Sequence, residues 1–351
     1  MKPTIVLFCA CLSASFVLSC SSGGSDSGAG INDSGIRVAQ GRDAGNDAAN
    51  TDSALRADSG RDNVGSHDAG SDASIVGDAS SHDVGDAGTI TLGSSCKRGI
   101  AYGHHSKEDL AALQPAISWW YNWATMPDQD LRDGSYRTAN VEYVPMIWGG
   151  TFDVNTAINE IPNDASWLLG FNEPNFGAQS NLSAIDAAAL WPDVESIADA
   201  LGLSLVSPAP NFCGGSCQDT DPFNYLDDFF AACDGCRIDA VAFHVYVGCN
   251  ATGGNKAQWL IDHVNTYKQR FSQPLWLTEF ACTDAASFDD QIAFLNDAVE
   301  FLESDSRIER YAWFSGRFDG IPFVDVLGDN GKLTPLGQAY LDAPAATSCT
   351  R

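Results

Sequence analysis

Two stretches, Trp167-Leu-Leu-Gly-Phe-Asn-Glu173-Pro-Asn175 and Pro274-Leu-Trp-Leu-Thr-Glu279-Phe-Ala281, share one construction: a short apolar run that ends on a carboxylate. A continuous apolar run of this length, bounded by polar residues or Gly/Pro, reads as a strand buried on both faces, the pattern of a parallel sheet. A carboxylate closing such a strand costs stability unless it is paired or points into a cleft. Six more runs of the same kind surround these two: RGIAYG (98–103), SWWYNW (118–123), VEYVPMIWG (141–149), LSLVSPAP (203–210), DAVAFHVY (239–246) and RYAWFSG (310–316).

Helical patterns fall between several of them, at Ser106–Leu113, Ser183–Leu201, Asn255–Phe271 and Ser287–Leu302. Ser106 is placed to cap the first, with Asp109 in its first turn. The second and third connections read only weakly as helices. Eight strands alternating with helices over about 250 residues give the size and rhythm of an α/β protein of the (β/α)8 TIM-barrel type. A doubly wound open sheet is the competing fold, but no Gly-rich phosphate turn follows the first strand.

The chain before Cys96 reads differently. Residues 1–19 have the form of a lipoprotein signal peptide: Lys2 supplies a positive start and Ile5–Leu18 an apolar run too short to cross a bilayer comfortably. The run closes on Val17-Leu18-Ser19-Cys20, which resembles a bacterial lipobox with cleavage before Cys20 and the lipid carried on Cys20. Residues 20–95 read as a disordered tether. Residues 21–95 hold 12 Asp, no Glu and no aromatic residue among many Gly, Ser and Ala, and cannot bury enough apolar area to offset chain entropy. All nine Trp and all nine Tyr fall in residues 96–351, the expected catalytic domain. The chain is therefore expected to be exported and lipid-anchored, at the outer membrane or cell surface, touching a membrane only through Cys20, and to be a monomer.

Formal net charge is -27. Nucleic acid needs a basic surface, so it is excluded as a partner, as is an anionic lipid surface. A neutral polysaccharide is indifferent to the charge.

Of 11 cysteines, Cys9 and Cys11 leave with the leader and Cys20 is spent on lipid, so 11 - 3 = 8 remain. An even number in an exported chain suggests disulfides. Cys213 with Cys217, Cys233 with Cys236, Cys249 with Cys282 near the ends of strands six and seven, and Cys96 with Cys349 across the domain ends are the expected pairs, although connectivity is not readable from sequence. The spacing of the first four nearly matches a zinc site, but export favours oxidation. His104-His105 lacks a third ligand at recognisable spacing, so no metal or other cofactor is expected.

In a TIM barrel the active site lies at the C-terminal strand ends. Glu173 and Glu279 end strands four and seven, and two such carboxyl groups can face each other across a bound sugar, one protonating the leaving oxygen and the other attacking or activating water. Aromatic residues crowd the same ends: Trp119, Trp120, Trp123, Trp148, Phe176, Phe212 and Trp313. Flat rings pack on the apolar faces of sugars. Trp119 and Trp120 point to opposite faces, so at most one faces inward. Trp148 and Trp313 are favoured as platforms because each ends a strand, with Asn122, beside Trp123, as a polar contact. Glu142 starts strand three, at the opposite end, where a stability role is expected.

Taken in order, Arg98-Gly-Ile-Ala-Tyr102, Trp120-Tyr-Asn-Trp123, Val144-Pro-Met-Ile-Trp148, Gly170-Phe-Asn-Glu-Pro-Asn175, Ser207-Pro-Ala209, His244-Val-Tyr246, Trp276-Leu-Thr-Glu-Phe280 and Ala312-Trp-Phe314 resemble glycoside hydrolase family 128, retaining TIM-barrel β-1,3-glucanases of clan A. The resemblance spans about Cys96 to Leu341. It implies Glu173 as acid/base, Glu279 as nucleophile and Asn172 as a contact to the sugar hydroxyl beside the reacting carbon. His244 and Tyr246, two apart on one strand, would face the barrel mouth, with Tyr246 bonded to Glu279. The implied activity is endo cleavage of β-1,3-glucan. A glucan-binding barrel without catalysis is the rival reading. So is a hydrolase of another β-glycan such as mannan or mixed-linkage glucan, because fold does not fix substrate.

Overall fold

A computed structural model describes residues 95–213, 217, 219–250 and 254–345. The signal peptide with Cys20, the tether up to residue 94, and Cys349 lie outside the described residues.

All eight expected strands form: β1 (Arg98–Ala101), β2 (Trp119–Tyr121), β3 (Glu142–Tyr143), β4 (Trp167–Leu169), β5 (Ser204–Val206), β6 (Val241–Val247), β7 (Leu275–Cys282) and β8 (Ile308–Trp313). They are parallel, in a six-stranded sheet ordered β3-β2-β1-β8-β7-β6 and a pair β4-β5. Single bridges from Met146 to Leu169 and from Val206 to Ala240 join the pair to β3 and to β6, which closes the barrel.

The helices α1 (Lys107–Leu113), α3 (Ala184–Leu201), α5 (Gln258–Arg270) and α6 (Phe288–Ser304) stand where the periodicity places them. Ser106, Ser183 and Ser287 each cap one by accepting from the backbone N–H three residues on, and Asp109 completes a capping box with Ser106. The weak second connection holds only 3-10 turns, at Gln129–Leu131 and Ser135–Arg137, and the third a short α2 (Val154–Glu160). Two helices add to the expected set, α4 (Pro222–Ala232) and α7 (Pro335–Asp342). Both carry a readable start, Asp221-Pro222 and Thr334-Pro335, with the cap residue followed by proline in the first turn.

The barrel is plugged at the N-terminal ends of its strands. Trp276 packs against Trp119 and Trp167 with ring centroids 5.3 and 4.9 Å away. The Arg310 guanidinium lies over all three indoles, nearest Trp276 at 4.6 Å, and bonds to Glu142 at 2.7 Å. Glu142 is thus part of the plug. Trp119 faces inward, whereas Trp120 packs outward against Tyr136 and Tyr143, the division that strand alternation requires. Gly99 makes room for the plug, since a Cβ there would stand 2.4 Å from Trp119.

Disulfides join Cys213 to Cys217, Cys233 to Cys236 and Cys249 to Cys282, as expected. Cys96 is also disulfide-bonded.

Replacing Gly99 with Ala is expected to destabilise the barrel by about 1–3 kcal/mol, because the Trp119 indole it would meet is wholly buried and packed against Trp276 and Arg310. Urea unfolding of the two proteins measures the difference, and equal midpoints would contradict the plug's tightness.

Candidate active site

Glu173 stands just past β4 with φ 37°, a left-handed conformation uncommon outside glycine. Its N–H donates to the Ala209 carbonyl (3.0 Å) and its own carbonyl accepts from Phe176 (2.9 Å), so the backbone around it enforces the turn. Its Oε1 accepts from Asn211 Nδ2 at 3.0 Å. Asn211 is itself locked: its N–H donates to Asn175 Oδ1, and Asn175 Nδ2 donates to its carbonyl at 2.7 Å. The Pro174-Asn175 part of the motif is explained by this clamp.

Glu279 projects from β7 beside an irregularity. Phe243 pairs with Leu277 but His244 pairs with Glu279, so Thr278 is an extra residue on β7. A bulge of this kind re-aims the side chain that follows it. The Glu279 carboxylate receives three neutral donors: Tyr121 Oη and Trp123 Nε1 on Oε1, each at 2.8 Å, and Tyr246 Oη on Oε2. The expected bond from Tyr246 is present. Trp123 reaches it from a left-handed backbone, φ 59°.

His244 joins the two acids. Its Nδ1 stands 3.2 Å from Glu173 Oε1 and 3.2 Å from Glu279 Oε2. One oxygen of each carboxylate and this nitrogen all lie within 4.8 Å of one another, and all three residues are buried. Burial alone would lower the His244 pKa, but the Glu279 and Glu173 carboxylates outweigh it and hold the imidazole above its ordinary value. Burial raises the Glu279 pKa, and the Glu173 charge adds to this, while His244, Tyr246 and Trp123 oppose it without cancelling it. Burial and the Glu279 charge push Tyr121 and Tyr246 well above the usual phenol range, which keeps both hydroxyls protonated as donors.

Glu173, Glu279, Tyr246 and Trp123 line a cavity of about 290 Å³ with Asn172, Gln179, Trp148 and Phe314. Asn172 donates to Gln179 Oε1, and its buried Oδ1 has no protein partner. Trp148 is 41% exposed and, with Trp123, also walls an adjoining cleft of about 490 Å³ that runs to Thr125, Asp153 and Glu160.

Glu173, Glu279, Asn172, His244, Tyr246, Trp148 and Trp123 are therefore brought together. Three other candidates are not. Trp313 is wholly buried, packing on Phe280 and donating to the Val324 carbonyl, so it presents no face to the cavity and Phe314, one residue on, stands there instead. Asn122 is consumed inside its loop, donating to the Met126 carbonyl and Asp128 and accepting from Tyr143. Phe176 is absent from the cavity wall. Tyr121 and Asn211 join the site without having been among the candidates. Alternation is the signal for Tyr121, because it shares a strand face with Trp119 and Trp123. Asn211 follows a strand in a loop and carries no periodic signal. His105, of the His104-His105 pair, is buried with its Nδ1 2.9 Å from Asp128.

A closed parallel barrel with two facing acids at the ends of β4 and β7 has the form of a glycoside hydrolase. Residues 99–340 match the family model described as glycosyl hydrolase catalytic core. Among solved structures, a family 128 subgroup II endo-β-1,3-glucanase from Sorangium cellulosum is 60% identical, with TM-score 0.71, over 72% of this chain and 100% of that one. Another, from Pseudomonas viridiflava, is 34% identical, with TM-score 0.62, over 72% and 99%. Alkali-sensitive linkage protein 1 of Schizosaccharomyces pombe is 29% identical over 269 residues, 70% of this chain, and the chain spans 44% of that relative's length. The chain belongs to glycoside hydrolase family 128.

Replacing Tyr246 with Phe removes one donor from ionised Glu279 and raises its pKa further. If activity needs Glu279 charged, the acidic limb of the kcat/KM profile moves to higher pH, and kcat falls about tenfold or more, the worth of a hydrogen bond to a charged group. An unchanged acidic limb would mean that this bond does not tune Glu279.

Proposed function

We propose that this protein is an endo-acting β-1,3-glucanase that works by retaining double displacement, with Glu173 as acid/base and Glu279 as nucleophile. The observation that carries the mechanism is the closeness of the two acids, whose nearest oxygens lie within 4.8 Å. Retaining enzymes hold their carboxyl groups about 5 to 5.5 Å apart, whereas inverting ones leave about 6.5 to 9.5 Å for a water. The division of roles follows from the donors. Glu279 collects three neutral donors, which favour its charged, attacking form. Glu173 collects Asn211 and the shared His244.

In the first step Glu279 attacks the anomeric carbon while Glu173 protonates the departing glycosidic oxygen, leaving a glycosyl ester on Glu279. In the second, Glu173, now a carboxylate, takes a proton from water, whose oxygen attacks the same carbon and frees Glu279. Both steps run on the protein's own groups. Asn172 lines the cavity and its buried Oδ1 has no protein partner, and we assign it the contact to the sugar hydroxyl beside the reacting carbon. The β-1,3 linkage and endo action are supported by the named activity of the Sorangium cellulosum and Pseudomonas viridiflava enzymes. The cleft continuing past Trp148 offers room for a longer chain.

We further propose that the enzyme is exported, cut before Cys20 and held by lipid on that cysteine, with residues 20–95 as a tether to the catalytic domain. The sequence pattern described above supports this, and replacing Cys20 with Ser should move the protein from the membrane fraction to the soluble one.

Glu173→Gln and Glu279→Gln should each lower turnover of laminarin by about a hundredfold to ten-thousandfold while the fold persists. Wild-type enzyme should release a ladder of short oligosaccharides from laminarin or curdlan and none from mannan. Wild-type turnover in both variants would sink the mechanism, and a ladder from mannan alone would sink the substrate.

A further inference from the structure

Large apolar side chains are exposed at four described positions, Trp148 (41%), Ile185 (69%), Trp259 (43%) and Phe323 (41%), and their placement is not random. Trp148 follows β3. Ile185 is the second residue of α3, and Trp259 the second residue of α5. Phe323 lies between β8 and α7. In this fold the loops that follow strands, and the helix starts they lead into, share the end of the barrel that holds the active site. All four residues are therefore at that end. Single exposed apolar residues scattered over a surface need no explanation, but confinement to one functional face does. Trp148 already walls the catalytic cavity.

Two of them are built as platforms. The Trp259 indole closes on the bare backbone of Gly248, where a Cβ would stand 3.0 Å from the indole and 2.6 Å from Asp284 Oδ2. Asp284 is held beside the ring, accepting from the Cys249 N–H at 2.7 Å and the Asn250 amide at 3.2 Å. Gly248 is two residues beyond Tyr246, so at most about 7 Å of chain separates it from the catalytic cavity. Phe323 has φ 55°, a conformation disfavoured for a bulky residue, and its ring meets Phe288 edge to face with centroids 5.4 Å apart. Backbone strain that presents an apolar ring to water works against stability and marks a surface kept for contact.

We propose that Trp259 and Phe323 form an accessory surface that holds insoluble β-1,3-glucan beside the cleft. This rests on the substrate reading given above. A net charge of -27 repels nucleic acid, anionic lipid and a second copy of this chain alike. It leaves a neutral polymer whose rings have apolar faces as the fitting occupant, with Asp284 to accept from its hydroxyls. A strand held there raises the local concentration of cleavable bonds at the cleft without touching the chemistry.

The test uses Trp259→Ala, Phe323→Asn (a residue that tolerates the left-handed backbone) and the double variant. Each is assayed on soluble laminari-oligosaccharide and on particulate curdlan, with sedimentation on curdlan measured in a Glu173→Gln background. The double variant is expected to bind curdlan about tenfold more weakly, as two lost ring contacts imply, and to degrade it more slowly, with oligosaccharide kcat/KM unchanged. Unchanged sedimentation overturns the proposal. So does an equal loss on both substrates, which would place these residues in the catalytic site or in folding. A wild-type dimer that the double variant converts to monomer overturns it in favour of a contact between copies. Failure of the wild type on the soluble oligosaccharide would instead overturn the substrate reading itself.

Discussion

The burial of the Glu279 carboxylate sets the terms for the rest of the molecule. A carboxylate out of water is costly, and burial here does push its pKa upward. What keeps an ionised form within reach is a shell of donors drawn from elements far apart in sequence. Tyr121 comes from β2, Trp123 from the turn after it, and His244 and Tyr246 from β6. Only a closed barrel puts those elements on either side of β7. Closure in turn depends on the far end, where three tryptophans and Arg310 fill the interior, so the site and the plug are two ends of one packing problem.

The two acids are chemically alike and differ by neighbourhood. Glu279 is surrounded by donors that stay protonated, since the same burial that threatens its charge lifts Tyr121 and Tyr246 well above the usual phenol range. Glu173 is held by backbone on a left-handed turn and by one amide, with Asn175 fixing that amide in place. His244 is shared between them, 3.2 Å from an oxygen of each. Local irregularities serve this arrangement: the extra residue at Thr278 turns Glu279, and the strained backbone of Trp123 delivers its indole N–H. Strain at such points persists because the surrounding hydrogen bonds over-determine the geometry.

Much of this is legible in the order of the residues. Eight apolar runs become eight strands because residues buried on both faces must be apolar whatever their partners. Ser106, Ser183 and Ser287 start helices because the capping bond is local. The cap-proline starts of α4 and α7 are equally local, yet apolar periodicity alone does not single out those helices. The site is less evenly legible. The spacing of His244 and Tyr246 puts both on the inner face of their strand. Trp313 differs by one residue from the ring that lines the cavity, since the direction of a side chain where a strand gives out depends on the backbone there, and Phe314 takes that position. Asn122 has the chemistry of a sugar contact, but its amide is spent on its own loop, a competition that spacing does not reveal.

The sequence by itself determined the strands, most helix starts, the two acids and the residues available to each, because periodicity, capping and the cost of a buried charge are properties of short segments. The tertiary structure alone decided the separation of the acids, the sharing of His244, the choice of Tyr121 and Asn211 as donors, and the confinement of exposed aromatics to one end of the barrel. Those are distances and directions between segments many residues apart, set by how eight strands close around their plug, and no single segment contains them.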